Sequence, residues 1–134
     1  MLVTGAGPIG ILALLAARAA GATQLFVSDV NSKRLTLASE AVPSVTTINP
    51  NTDDVGDTLR QATEGHVGCD VAIECAGNEH ALKTGLDAVR KQGVIVQTGL
   101  HPGENPLNWF DVTFKDVDVR GSWAYPTHYW PRVA

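Results

Sequence analysis

Three glycines, Gly5, Gly7 and Gly10, set between the apolar start Leu2-Val3 and an Ala/Leu-rich stretch beginning at Pro8, constrain this chain more than any other feature. The apolar residues before them read as a strand and the stretch after them as a helix, so the glycines occupy a strand-to-helix turn. Each has a separate task there. Gly5 permits the tight turn, Gly7 lets the backbone approach a ligand, and Gly10 lets helix and strand pack closely. Such a turn leaves the first helical N–H groups around Pro8 and Ile9 without partners, and the pyrophosphate of a dinucleotide can supply the acceptors.

Glycines also end strands and helices for purely structural reasons, so the surroundings decide. From Pro8 to Ala20 only Arg18 is charged, proline suits the first helical turn, and Gly21 supplies a C-terminal stop. A second apolar run, Leu25-Phe26-Val27, leads into Ser28 and Asp29, 19 positions beyond Gly10 (29 minus 10), where the dinucleotide fingerprint places its acid. A carboxylate at the end of a second strand accepts hydrogen bonds from both hydroxyls of an adenine ribose and repels a 2′-phosphate, which selects NAD over NADP. The competing reading leaves Asp29, with Val30 beside it, only the start of a turn or a helix cap, a task that Asn31 or Ser32 can also perform.

Beyond this point strand and helix patterns alternate. Lys33 to Ala41 reads as a helix with Leu35, Leu37, Ala38 and Ala41 on its apolar face, and Val45 to Ile48 as a short strand. Asp53 and Asp54 favour the start of a helix through Ala62; Cys69 to Cys75 reads as a strand, and the stretch after Asn78 as a helix through Val89. Val94 to Thr98 is a near-continuous apolar strand of the kind covered on both faces in a parallel sheet, ending at Gly99. Pro102, Gly103, Asn105 and Pro106 then break any helical pattern, Asn108 to Phe114 is ambiguous, Val117 to Trp123 supplies a sixth strand, and Thr127 to Ala134 opens a helix. The alternation predicts an α/β Rossmann fold, a doubly wound parallel sheet of six strands in the order 3-2-1-4-5-6.

At 134 residues the chain reads as one domain, large enough to bury roughly two thirds of its unfolded surface. A net charge of −4 with acids and bases scattered offers neither a basic stripe for nucleic acid nor a polybasic face for a membrane. The longest apolar stretch, Ile9 to Ala17, is far short of the ~20 residues that span a bilayer, and the expectation is a cytoplasmic protein. Cys69 and Cys75 flank one strand and stand about 20 Å apart along it, too far to bridge. His66, His80, His101 and His128 are scattered singly and read as surface or loop residues rather than metal ligands. The first strand starts at the first residue and the final helical stretch is short, so the expectation is a domain excised from a longer polypeptide.

Five segments in this order, VTGAGPIG, VSDVNSKR, CDVAIECAG, GVIVQTGL and DVRGSWAY, together resemble the cofactor domain of the zinc-containing medium-chain alcohol and polyol dehydrogenases, over essentially the whole chain. The resemblance implies that the backbone around Pro8 and Ile9 holds the pyrophosphate of NAD, that Asp29 holds the adenosine ribose with Val30 beside it in the cofactor site, and that Arg34 lies beside that ribose and the phosphates. It implies that Cys75, Ala76 and Gly77 line the adenosine side, and that backbone groups of Thr98, Gly99 and Leu100, then Ser122 and Ala124, fix the nicotinamide carboxamide. Trp123 and Trp130 read as packing or interface residues. In that family zinc and its ligands, a cysteine, a histidine and an acidic residue, come from a separate N-terminal domain with no matching positions here. The fragment is therefore expected to be inactive by itself, with zinc and the alcohol or polyol substrate belonging to the full-length parent. Pairing through the sixth strand implies a homodimer or homotetramer. The rival of another class is a nucleotide-sensing regulatory module of a channel or transporter, which shares the size, the glycine turn and the acid.

Overall fold

A computed structural model describes residues 1–124, 127–129 and 131. In chain order they form β1 (Leu2–Thr4), α1 (Pro8–Ala19), β2 (Leu25–Ser28), α2 (Ser32–Ala41), β3 (Val45–Ile48), α3 (Val55–Ala62), β4 (Cys69–Glu74), α4 (Glu79–Ala88), β5 (Val89–Gln97), α5 (Trp109–Lys115) and β6 (Asp118–Gly121). Short 3-10 turns occupy Glu64–His66 and Thr127–Tyr129. The six strands are all parallel, in the order β3-β2-β1-β4-β5-β6, as the alternation predicts.

Strand alternation divides the core in two, because successive side chains point to opposite faces of a sheet. Val3, Leu25 and Val27 face one side, where they meet Leu14 and Ala17 of α1 and Leu35 and Ala38 of α2. Leu2, Phe26, Ala72 and Ile95 face the other, against Val55 and Leu59 of α3 and Leu86 of α4. With both faces covered, the central strands read as unbroken apolar runs. The order reverses between β1 and β4, and in open α/β sheets the crevice beyond the carboxyl ends at such a point receives ligands.

Several expectations are corrected. The helix expected through Val89 ends at Ala88, and β5 starts at Val89 rather than Val94, because Val89 pairs with Cys69 across a register shift. Gln92 takes a left-handed φ of 57° there, and a Cβ on Gly93 would lie 2.9 Å from Asp70 O. The ambiguous stretch after Asn108 is helical: the Asn108 side chain accepts the Phe110 N–H at 3.2 Å, and Asp116 closes the helix in the left-handed region. Leu37 and Ala41, expected on the apolar face of α2, are exposed. The sixth strand is shorter than Val117 to Trp123, and of the final stretch only the turn at Thr127–Tyr129 and residue 131 are described; Trp130 and positions 132–134 lie outside the described residues. Among the described residues no helix is long and apolar enough to cross a membrane.

Candidate functional site

At the switch point the Gly5–Gly10 turn is built by close approach. Gly5 has φ +97° and its N–H donates to Ser28 O at 2.7 Å, while a Cβ placed on it would come within 2.8 Å of Ala76 N. A Cβ on Gly10 would lie 1.8 Å from Gly5 O, so α1 sits against the turn only because glycine is there. At Gly7 the situation is reversed: a Cβ would meet nothing within 4 Å, because the residue faces open space.

Gly7 is also the N-cap of α1, with Pro8 following, and no side chain caps the helix. Among the described residues the other four α-helices are all capped, by Asn31, Asp54, Asn78 and Asn108. The N–H groups of Ile9 and Gly10 in the first turn of α1 therefore meet no side-chain acceptor, and the positive end of the helix points into the open space in front of Gly7.

That space is a cavity of about 370 Å³. Of the residues singled out in the sequence, Gly5, Gly7, Pro8, Asp29, Val30, Arg34, Cys75 and Ala76 line it. Asp29 is buried, 8% exposed, at the end of β2. Its Oδ2 accepts the Ala6 N–H and its Oδ1 the Asn31 N–H, both at 2.8 Å, and the Arg34 guanidinium stands 3.7 Å from Oδ2. Two N–H bonds and one loose cation leave the carboxylate oxygens capacity for further donors, since each oxygen has two lone pairs. The capping task that competed for Asp29 falls to Asn31, whose side chain accepts from Lys33 and Arg34 N–H.

Cys75 and Ala76 form the wall opposite α1. Burial raises both thiols above their ordinary range, so Cys75 and Cys69 stay protonated near neutral pH and act as small apolar groups. Thr98 and Gly99 lie just outside the cavity, and both their N–H groups are engaged with Glu74 O, at 3.0 and 2.9 Å. Leu100 is exposed; Ser122 donates its N–H to Gln97 O at 2.8 Å, and Ala124 has a left-handed φ of 48°. These five residues cluster beyond the ends of β5 and β6 without lining the cavity.

Sequence reading missed the contribution of α4. Asn78, His80, Ala81 and Thr84 line the cavity together with Thr4, whose buried Oγ1 has no hydrogen-bond partner among the described residues. The available signal was Asn78 itself, an N-cap placed directly after the Cys75-Ala76-Gly77 turn. Sequence reading also missed Glu74, which is 1% exposed, and His101, whose Nε2 lies 3.2 Å from Glu74 Oε2; His101 is in a loop, as expected, but its ring is turned inward. A larger and more open groove of about 510 Å³, lined by Asp53, Asp54, Arg60 and Lys115 among others, has its polar groups otherwise engaged. Asp54 caps α3, and Lys115 Nζ donates to the carbonyls of Leu86, Asp87 and Val89.

Comparison with known proteins agrees with this geometry. The chain is 36% identical over 121 residues to an L-threonine 3-dehydrogenase from Ruegeria pomeroyi, covering 90% of this chain and 35% of that protein. It is 33% identical over 133 residues to human sorbitol dehydrogenase, covering 98% and 36%. Among solved structures, 2R,3R-butanediol dehydrogenase from Bacillus subtilis superposes with a TM-score of 0.88 at 29% identity, over 98% of this chain and 37% of that one. The chain thus spans a little over a third of the length of the relatives it matches. Residues 8–134 match the zinc-binding dehydrogenase family throughout, and the chain belongs to that family.

Proposed function

We propose that this chain seats the NAD of a zinc-dependent dehydrogenase that takes hydride from a secondary alcohol or polyol. The carrying observation is that the uncapped N-terminus of α1 and the buried carboxylate of Asp29 open onto one cavity. Phosphate oxygens fit the first and ribose hydroxyls the second. The open space at Gly7 admits the pyrophosphate against the backbone, and a volume of about 370 Å³ lies within the usual range of ligand sites. Arg34, half exposed beside Asp29, is placed to meet the phosphates or the ribose edge. Thr98, Gly99, Leu100, Ser122 and Ala124 would face the nicotinamide half. A bound nicotinamide would supply the hydride acceptor; the chain's own residues bind it and orient it.

Among the described residues no three metal-ligating side chains gather. The residues present do not fit zinc, and no step is routed through it; in this reading zinc, its ligands and the alcohol subsite belong to the full-length enzyme. The chain by itself then binds NAD without turning over alcohol. β6 ends the sheet as an exposed strand with Val119 at the surface and Trp123 exposed two residues beyond its end, which supports pairing of two copies along this edge, and the parent would be a cytoplasmic enzyme. The regulatory-module alternative is not favoured by the family match.

Calorimetric titration tests the reading. NAD is expected to bind in preference to NADP, and Asp29→Ser to reduce that preference by roughly tenfold, since Asp29 is what repels a 2′-phosphate. Clear preference of the wild-type chain for NADP or S-adenosylmethionine would sink it. Light scattering across a concentration series tests the pairing, which a monomer at every concentration would refute.

A further inference from the structure

Glu74 is a carboxylate at the end of a central strand with almost no access to solvent. Glutamate is almost never fully buried unless it is paired, and here the partners come from two turns and the last residue of β5. Oε1 accepts the N–H groups of Ala76 and Gly77, both at 2.8 Å, in the turn after β4. Oε2 faces the turn after β5: Gln97 Nε2 donates to it at 2.6 Å, and His101 Nε2 lies 3.2 Å away. Gln97 Nε2 also donates to Gly99 O at 2.8 Å; both its neighbours are acceptors, which fixes the orientation of the amide and leaves Gln97 Oε1 without a partner among the described residues. The main-chain oxygen of Glu74 adds Thr98 Oγ1 at 2.6 Å.

The two turns are nested so tightly that side chains are excluded between them. A Cβ on Gly99 would lie 2.3 Å from Glu74 Oε2 and 2.4 Å from Gly77 N; one on Gly77 would lie 2.6 Å from Leu100 O. Ala76 in turn abuts Gly5 of the phosphate turn. The carboxylate thus stands between the cavity wall formed by Cys75 and Ala76 and the turn formed by Thr98, Gly99 and Leu100.

We propose that Glu74 is a positioning residue for the cofactor: one oxygen holds the turn that walls the adenosine side, and the other holds the turn that meets the nicotinamide side. This rests on the cofactor reading given above. Glu74 does not line the cavity and acts through the two turns; its two oxygens are met by two N–H groups, one amide and one imidazole ring. Charge-assisted hydrogen bonds of this kind are about twice as strong as neutral ones, which suits a brace that must hold two loops in one register.

Glu74→Gln separates the two oxygens. The glutamine keeps an acceptor for Ala76 and Gly77 but turns an –NH₂ toward Gln97 and His101, where two donors already point. In the full 134-residue chain, the amides of residues 98–101 are expected to exchange with deuterium at least about tenfold faster, with Ala76 and Gly77 unchanged. Calorimetry is expected to show NAD affinity reduced roughly tenfold and ADP-ribose affinity within about twofold of wild type. Uniformly faster exchange across the sheet, with NAD and ADP-ribose weakened in step, would reduce Glu74 to a general stabiliser and overturn the proposal; so would no change in either measurement. If wild type binds neither ligand, the cofactor reading fails and with it the positioning role. If Glu74→Gln does not fold, Gln97→Met removes one donor to the same oxygen, and the same pattern of exchange and affinity decides.

Discussion

Three helices begin at the rim of the cavity, α1, α2 and α4, and the chain finishes the first and the last of them differently. α4 starts at Asn78, whose side chain accepts the Ala81 N–H at 3.0 Å; α1 starts at Gly7, which has no side chain, and is followed by a proline. An Asn or Asp cap stabilises a helix by about 1 kcal/mol, and α2, α3 and α5 all have one. Glycine at this position costs α1 only roughly a few tenths of a kcal/mol relative to such a cap, and that cost is offset if a ligand supplies the acceptor. The difference teaches that a helix end facing a cavity is marked by what it lacks as much as by what it presents.

The comparison can be broken outright at Gly10. Gly10→Ala places a Cβ 1.8 Å from Gly5 O and forces α1 off β1. A loss of about 3 kcal/mol or more in urea denaturation is expected, or a chain that does not fold. Stripping the other helix is milder: Asn78→Ala is expected to lower stability by about 1 kcal/mol, measured by the same titration, with the Gly5–Gly10 turn intact. The sharpest test gives α1 the cap it lacks. Gly7 has φ −73°, which serine adopts freely, and open space around it. Gly7→Ser should therefore raise stability by a few tenths of ~1 kcal/mol while weakening NAD binding, because the hydroxyl competes for the N–H groups the phosphates need. A stabilised Gly7→Ser chain with undiminished NAD affinity would end the phosphate reading.

The smallest effect is expected far from both helix ends. Arg90 Nε donates to Asp70 Oδ1 at 2.7 Å, and this bond holds the Asp70 carboxyl below its ordinary range. Asp70 is three-quarters exposed, so Asp70→Asn should cost less than about 1 kcal/mol. A carboxyl depressed by folding stabilises the folded state above its unfolded pKa, and that contribution is lost as pH falls through the folded one. Melting curves of wild type and Asp70→Asn should therefore differ slightly at neutral pH and converge in acid, with no change in NAD affinity at neutral pH.

Much of this was legible in the chain. The glycine turn announced itself because only glycine tolerates the φ of Gly5 and the contact at Gly10, and Asp29 stood at the spacing a second strand requires. Sheet order followed from alternation and handedness alone. What escaped was whatever depended on a partner distant in sequence. Val89 fits the apolar period of α4 and equally an apolar strand, and only pairing with Cys69 assigns it to β5. α5 was obscured because Trp109, Phe110 and Phe114 face solvent and give no buried stripe to read. Glu74 looked like an ordinary polar residue in the segment CDVAIECAG, because its four donors are contributed by two turns and by residues up to 27 positions away.

By itself, the sequence determined the fold class, the position of the glycine turn and the acid at the end of the second strand, since each is set by local backbone conformation and by periods of two or 3.6 residues. Only the tertiary structure decided that Gly7 faces empty space while Gly10 faces backbone, that α4 completes the cavity, and that Glu74 joins two turns. The physical reason is that burial and close approach are properties of chain segments brought together, and no single segment contains the distance to its neighbour.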